Sequence, residues 1–224
     1  MKGSCLLIMS SFVVLGESEA RIEVKKSIFI ATVREVHSEE EAVSFIDSMR
    51  KKYWDAKHNC YAYILGPKSE IRRFSDDKEP QGTAGKPILE TISSGGFLNT
   101  AIVVTRYFGG VLLGTGGLVR AYSQAASKGL KESSCFPIFE GSRIQIECGY
   151  AEVSKLQHLL RSQDISILNS IYEEKVSILI ASEKENSDNI CKKITEAANG
   201  AASVTVLDSV YFIKDGSEAK IYQF

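Results

Sequence analysis

Two glycine-bearing segments carry the residues whose types and spacing bear on chemistry. The first, SDDKEPQGTAGKP at 75–87, sets the carboxylates Asp76, Asp77 and Glu79 just ahead of Gly82, Thr83, Gly85 and Lys86. Carboxylates this close could hold Mg²⁺ together with substrate phosphates, with Gly82, Thr83, Gly85 and Lys86 against the phosphate. The same residues equally make an acidic surface turn in which Asp76 or Asp77 caps local N–H groups. The second segment, RYFGGVLLGTGGLVRAY at 106–122, places Gly109, Gly110, Gly114, Gly116 and Gly117 between Arg106 and Arg120. A strand, a glycine-rich turn and a helix N-terminus make an anion site, because unpaired N–H groups and the helix dipole point outward. Two arginines beside it could grip phosphate bidentately. It matches no phosphate fingerprint: G-x-G-x-x-G fails at Val119, and G-x-x-x-x-G-K-[ST] does not occur. Tight turns and helix–sheet packing account for the same glycines.

His58 and Cys60 stand two apart in an apolar stretch and so share a strand face. That spacing suits a thiol–imidazole pair, or a packed cysteine beside a surface histidine. The three histidines (37, 58 and 158) have no ligand spacing, and no metal or cofactor is expected. No serine sits in a G-x-S-x-G elbow. Arg72, Arg73, Lys86, Arg106, Arg120, Lys128 and Lys131, interleaved with Tyr107, Phe108 and Tyr122, could form a basic, aromatic surface for RNA. Against this, Tyr122 suits a core position and the lysines suit a solvated helix face.

The elements that must position these residues follow from hydrophobic period. Strands are predicted at 11–15, 20–25, 27–36, 60–65 and 101–105. Ser38 with Glu41 is a capping box opening a helix towards Lys52. Pro87 suits the first turn of a short helix through Leu89 and Ile92, and a further helix spans about Leu118 to Lys131. Beyond Pro137 and Gly141 the pattern is simpler. A strand at 142–149 precedes a helix carrying Val153, Leu156, Leu159 and Leu160. Two strands follow, with Ile165, Ile167 and Ile171 on one and Val176, Ile178 and Ile180 on the other. Ser182 with Glu185 reads as a second capping box, for a helix ending at Asn199-Gly200, and a last strand runs from Val204 towards Tyr211. The order is β-α-β-β-α-β, the ferredoxin-like motif.

Composition agrees with two α+β domains, 1–137 and 138–224. Residues 60–131 carry nine Lys/Arg against five Asp/Glu, whereas 140–224 carry nine against thirteen, so the two surfaces differ in sign. The five cysteines are scattered and show no C-x-x-C, as expected of a reducing, cytoplasmic compartment. Lys2 followed by CLLIMSSFVVLG faintly resembles a signal peptide, but no A-x-A site closes it. The first ten residues are read as a loose leader, and no membrane partner is expected.

AKHNCYAY (56–63), FSDDKEPQGTAGKPILE (74–90) and VVTRYFGGVLLGTGGLVRAYSQA (103–125), in this order and spacing, resemble the IMPACT (YigZ) family and its bacterial two-domain members. The resemblance implies an N-terminal domain like domain 2 of ribosomal protein S5. It implies a ferredoxin-like C-terminal domain like the last domain of elongation factor G. It also implies a link to the regulation of translation, since eukaryotic relatives act there through protein contacts made partly by an extra domain. The family usually reads D-D-G-E-P, where this chain has Lys78 between Asp77 and Glu79. A basic side chain enters the acidic loop, against a metal site. The expectation is a non-enzymatic binding protein for RNA, a ribosome-associated partner or another phosphate-bearing molecule, with a protein partner as a further possibility. The rival reading is an Mg²⁺-dependent enzyme acting on a nucleotide or phosphorylated small molecule.

Overall fold

The computed structural model describes residues 11–215 and 218–224, so the leader expected at 1–10 lies outside the described residues. The chain forms two compact units, one running to Phe136 and including Phe224, the other Pro137–Gln223. The architecture is mixed α and β, built on antiparallel sheets.

The first unit comprises β1 (Ser11–Leu15), β2 (Glu17–Val24), β3 (Ser27–Glu35), α1 (Glu39–Lys52), β4 (His58–Leu65), β5 (Ile71–Ser75), α2 (Gly85–Ser94), β6 (Thr100–Tyr107) and α3 (Thr115–Glu132). Five strands pair antiparallel in the order β2-β3-β6-β4-β5. Alternation along each strand splits the sheet into two faces. Phe29, Ala31 and Val33, Cys60, Ala62 and Ile64, and Ile102 and Val104 pack beneath α2 and α3. Tyr63, Leu65, Ala101 and Val103 pack on Phe45, Ile46 and Met49 of α1. Burial on both faces explains why β6 is almost continuously apolar. Ser38 caps α1 as expected: Glu41 donates its N–H to Ser38 Oγ at 3.2 Å and its carboxylate accepts the His37 N–H at 2.8 Å.

The second unit holds most of β7 (Ser134–Cys148), then α4 (Tyr150–Ser162), β8 (Ser166–Tyr172), β9 (Val176–Glu183), a 3₁₀ turn at Lys184–Asn186, α5 (Ser187–Ala197), β10 (Ser203–Asp215) and β11 (Glu218–Tyr222). The pairs β10–β7, β7–β9 and β9–β8 are all antiparallel, and β11 adds to the end of β10. Ile144, Ile146, Ile178 and Ile180 face Leu156, Leu160, Ile190 and Ile194 of the two helices.

Three local expectations are corrected. Strands β5 and β11 are present where none was expected, both short and poor in alternation. Helix α3 begins at Thr115, so Gly116 and Gly117 are helical. Ser182 opens no helix: it is buried in β9, which runs on to Glu183 opposite Gly141, and α5 starts at Ser187. A Cβ on Gly141 would lie 2.2 Å from the Ser182 carbonyl oxygen, so the bare backbone lets the ladder continue past the capping pattern. Among the described residues no helix is long and apolar enough to cross a membrane.

Candidate binding site at one end of the first sheet

At one end of the first sheet, His58 of β4 and Phe29 of β3 both stand opposite Arg106 of β6. Directly opposed residues share a face, here the one covered by α2 and α3. The Arg106 side chain is 7% exposed and donates from Nη1 to Glu79 Oε1 at 2.6 Å. Its guanidinium lies between the Phe29 and Phe108 rings, 5.4 and 5.6 Å from their centroids. Its Nε is buried without a hydrogen-bond partner. Glu79 Oε1 also accepts from the Tyr122 hydroxyl at 2.8 Å, and His58 Nε2 stands 3.9 Å from the same oxygen. Tyr122, fully buried on α3, meets Phe29 edge-on at 5.2 Å. The Cys60 thiol donates to the Asp76 carbonyl at 3.0 Å, and its sulfur stands 3.4 Å from the Tyr122 hydroxyl. Burial first, with the neighbouring carboxylates adding to it, pushes that thiol up. Cys60 is therefore a packed, protonated thiol and not a nucleophile.

The acidic loop is tied into its own chain. Asp76 Oδ1 accepts the N–H groups of Ala84 and Gly85 at 3.0 and 2.8 Å, and Oδ2 accepts that of Gly82 at 2.8 Å. The anion expected at this helix N-terminus is thus supplied by the protein. Gly85 is required by packing, since a Cβ would lie 2.6 Å from the Ser75 carbonyl oxygen. Thr83 closes its turn by donating to the Pro80 carbonyl at 2.6 Å. Asp77 Oδ2 accepts the Asn59 N–H at 2.7 Å, and the Asp77 carbonyl stands 2.9 Å from His58 Nδ1. Among the described residues no group of three or more His, Cys, Asp and Glu side chains is arranged for a metal ion.

The glycine loop after β6 rests on the β2–β3 hairpin. A Cβ on Gly109 would lie 2.0 Å from the Lys26 carbonyl carbon, and the Gly109 N–H donates to Ser27 Oγ at 3.1 Å. Gly114, at φ +69°, is the N-cap of α3, with no side chain bonded to the cap. Open space lies above Gly110, Gly114 and Gly116, while Gly117 packs near Leu113. Arg120 and Lys25 line one cavity of about 290 Å³ beside Gly117 and Gln124. The structure therefore brings together His58, Asp76, Asp77, Glu79 and Arg106. It sets Arg120 beside Lys25 and leaves Lys86 exposed on α2, 3.9 Å from Glu90.

The basic surface differs from the one expected. Arg106 and Tyr122 are buried, Arg73 pairs with Glu39 at 3.3 Å, and Lys128 donates to the Arg21 carbonyl at 3.0 Å. Of the expected cations Arg120 stays exposed at this end of the sheet, and it is joined there by Lys25, Lys26, Lys57 and Lys78. None of the five has an ion-pair partner among the described residues. Lys25 and Lys26 form the whole β2–β3 turn, at φ +47° and +67°, and Lys78 stands at +69°. These are left-handed positions that favour glycine or asparagine. The strands predicted at 20–25 and 27–36 left only residue 26 between them; the structure ends β2 at Val24, so Lys-Lys fills a two-residue turn where Asn-Gly is usual.

Residues 25–130 match the Impact N-terminal domain, and 146–201 match a domain of unknown function, DUF1949. A solved structure described as a hypothetical protein is 31% identical, covers 90% of this chain and 99% of its own, and superposes with a TM-score of 0.56. IMPACT family member YvyE of Bacillus subtilis (strain 168) is 34% identical over 93% of this chain and 96% of its own length. IMPACT family member YigZ of Escherichia coli (strain K12) is 32% identical, over 83% and 92%. The chain belongs to the IMPACT family. A "Protein IMPACT homolog" of Dictyostelium discoideum is 40% identical over 40% of this chain but only 27% of that protein.

Proposed function

We propose that the protein is a non-enzymatic, cytoplasmic binding protein that takes a phosphate-bearing partner, RNA or an RNA surface of the ribosome, in the regulation of translation. The observation that carries this reading is the set of five exposed, unpaired cations at one end of the first sheet. Three of them occupy left-handed backbone, each such position costing on the order of 1–3 kcal/mol. Charge held at that cost, in a place where glycine would relieve it, suits a surface that meets phosphate. None of the nearby acids forms an ion pair with these five: Asp76 caps α2, Asp77 holds β4 and Glu79 pairs with Arg106. The same commitments count against the Mg²⁺-dependent enzyme, because both Asp76 oxygens already accept backbone N–H groups and Glu79 Oε1 already takes Arg106 and Tyr122. The accompanying fold reading takes the first unit as S5-domain-2-like and the second as ferredoxin-like. The antiparallel order β10-β7-β9-β8, flanked by α4 and α5, supports the latter.

The test is fluorescence anisotropy of a labelled RNA across a salt series. Affinity should fall steeply with salt, because each phosphate contact contributes about 0.7–0.9 to the log–log slope. The Lys25→Ala/Lys26→Ala/Arg120→Ala triple variant should lower that slope by about 2–3. An RNA that fails to associate at about 50 mM salt, where phosphate binding is strongest, would sink the reading.

A further inference from the structure

The turn after α1 sets an exposed aromatic at the same end of the sheet. Trp54 is the chain's single tryptophan, and it is 83% exposed, although so large an apolar surface is ordinarily covered. Its turn is held on both sides. The Ala56 N–H donates to the Tyr53 carbonyl at 3.0 Å, and Tyr53 donates its hydroxyl to Glu19 at 2.7 Å beneath the Lys52 ammonium. On the other side, Tyr107 donates its hydroxyl to Asp55 at 2.8 Å. Burial, then this bond to Asp55, holds the Tyr107 phenol up to about 12, so it remains a donor. Between these two anchors the Trp54 ring itself is left to solvent. The anchor leads directly to Phe108, the next residue after Tyr107, which is 47% exposed. The end of β6 therefore lies between two exposed aromatic rings, with Lys57 after the Trp54 turn and Lys25 and Lys26 beside Gly109.

We infer that this end binds a single-stranded nucleic acid, its bases stacking on Trp54 and Phe108 and its phosphates meeting Lys25, Lys26 and Lys57. The inference rests on the phosphate-bearing reading above and narrows it to one class of ligand. Cations alone suit duplex and single strand equally. In a duplex the base faces are already stacked on each other, so an exposed indole finds no face to cover. In a single strand every base offers one, whatever the sequence. An acidic protein segment would satisfy the lysines but would have no planar group for the two rings.

The experiment titrates the full chain with a 15-nucleotide single-stranded RNA, the matching 15-base-pair RNA duplex and poly-L-glutamate, reading Trp54 emission and the anisotropy of labelled probes. Trp54 emission should be quenched at saturation by the single strand alone, which should bind at least about tenfold more tightly than the duplex. Trp54→Ala should weaken single-strand binding about five- to a hundredfold and leave duplex binding unchanged, while Trp54→Phe restores most of it. The side chain is exposed, so these variants keep the fold. Unchanged emission at saturation, equal affinity for duplex, or a Trp54→Ala protein that binds like the parent overturns stacking while the phosphate reading stands. Poly-L-glutamate binding as tightly as RNA overturns it in favour of an acidic protein. No binding of either RNA removes both readings.

Discussion

Glu79 Oε1 takes hydrogen bonds from Arg106 and Tyr122, with His58 close behind, so one carboxylate oxygen fixes side chains from β6, α3 and β4. Its removal leaves the Arg106 charge buried between two rings with nothing to balance it. Glu79→Ala should therefore lose about 3–5 kcal/mol of stability, read as a lower urea midpoint with an unchanged m value. A loss no larger than that of an ordinary surface change would show that Arg106 finds other compensation. At this scale the sequence named the participants but not their partners. Asp76, Asp77, Glu79, Arg106 and His58 were all legible as candidates, because acidic and glycine-rich loops stand out. The alternative in which Asp76 caps local N–H groups is the one the structure bears out; which N–H groups it takes depends on where Gly85 packs against Ser75, and no local pattern encodes that approach. The burial of Arg106 was equally hidden, since it follows from Phe29 and Phe108, distant from each other in sequence, closing over it.

At the scale of elements, the β2–β3 hairpin shows the conflict between folding and binding most clearly. Its turn places two lysines at positive φ, where Asn-Gly would sit without strain. Lys25→Asn/Lys26→Gly should stabilise the protein by about 1–2 kcal/mol and weaken RNA binding at low salt. A melting-temperature series set beside anisotropy reads both, and a variant that gains stability with binding untouched would remove these lysines from the site. Helix and strand positions followed well, since β3, β4 and β6, buried on both faces, stand out as apolar-rich runs and α1 carries its own cap. β5 escaped because Ile71-Arg72-Arg73-Phe74-Ser75 is a short edge strand with two central charges. The Ser182 capping pattern misled because pairing to β7 outweighs a local cap that only later residues could complete.

Across the whole molecule the net charge is −1, with an isoelectric point near 6.3, which taken as a uniform property predicts no affinity for a polyanion at pH 7.5. The charge is not uniform. Residues 140–224 carry thirteen acids against nine bases, while the first unit concentrates unpaired cations at one sheet end. Exposed charges interact over about 8–10 Å at physiological salt, so a polyanion docked at that end is attracted by the local lysines and largely screened from distant acids. The protein should be retained on a heparin column at pH 7.5 and low salt. Lys25→Glu/Lys26→Glu should lower the salt needed for elution. Lys155→Glu/Lys192→Glu makes the same change in net charge at exposed positions of the second unit, and it should elute where the parent does. Equal shifts from the two pairs would mean that retention follows total charge, and the sheet end would lose its claim to be the binding surface.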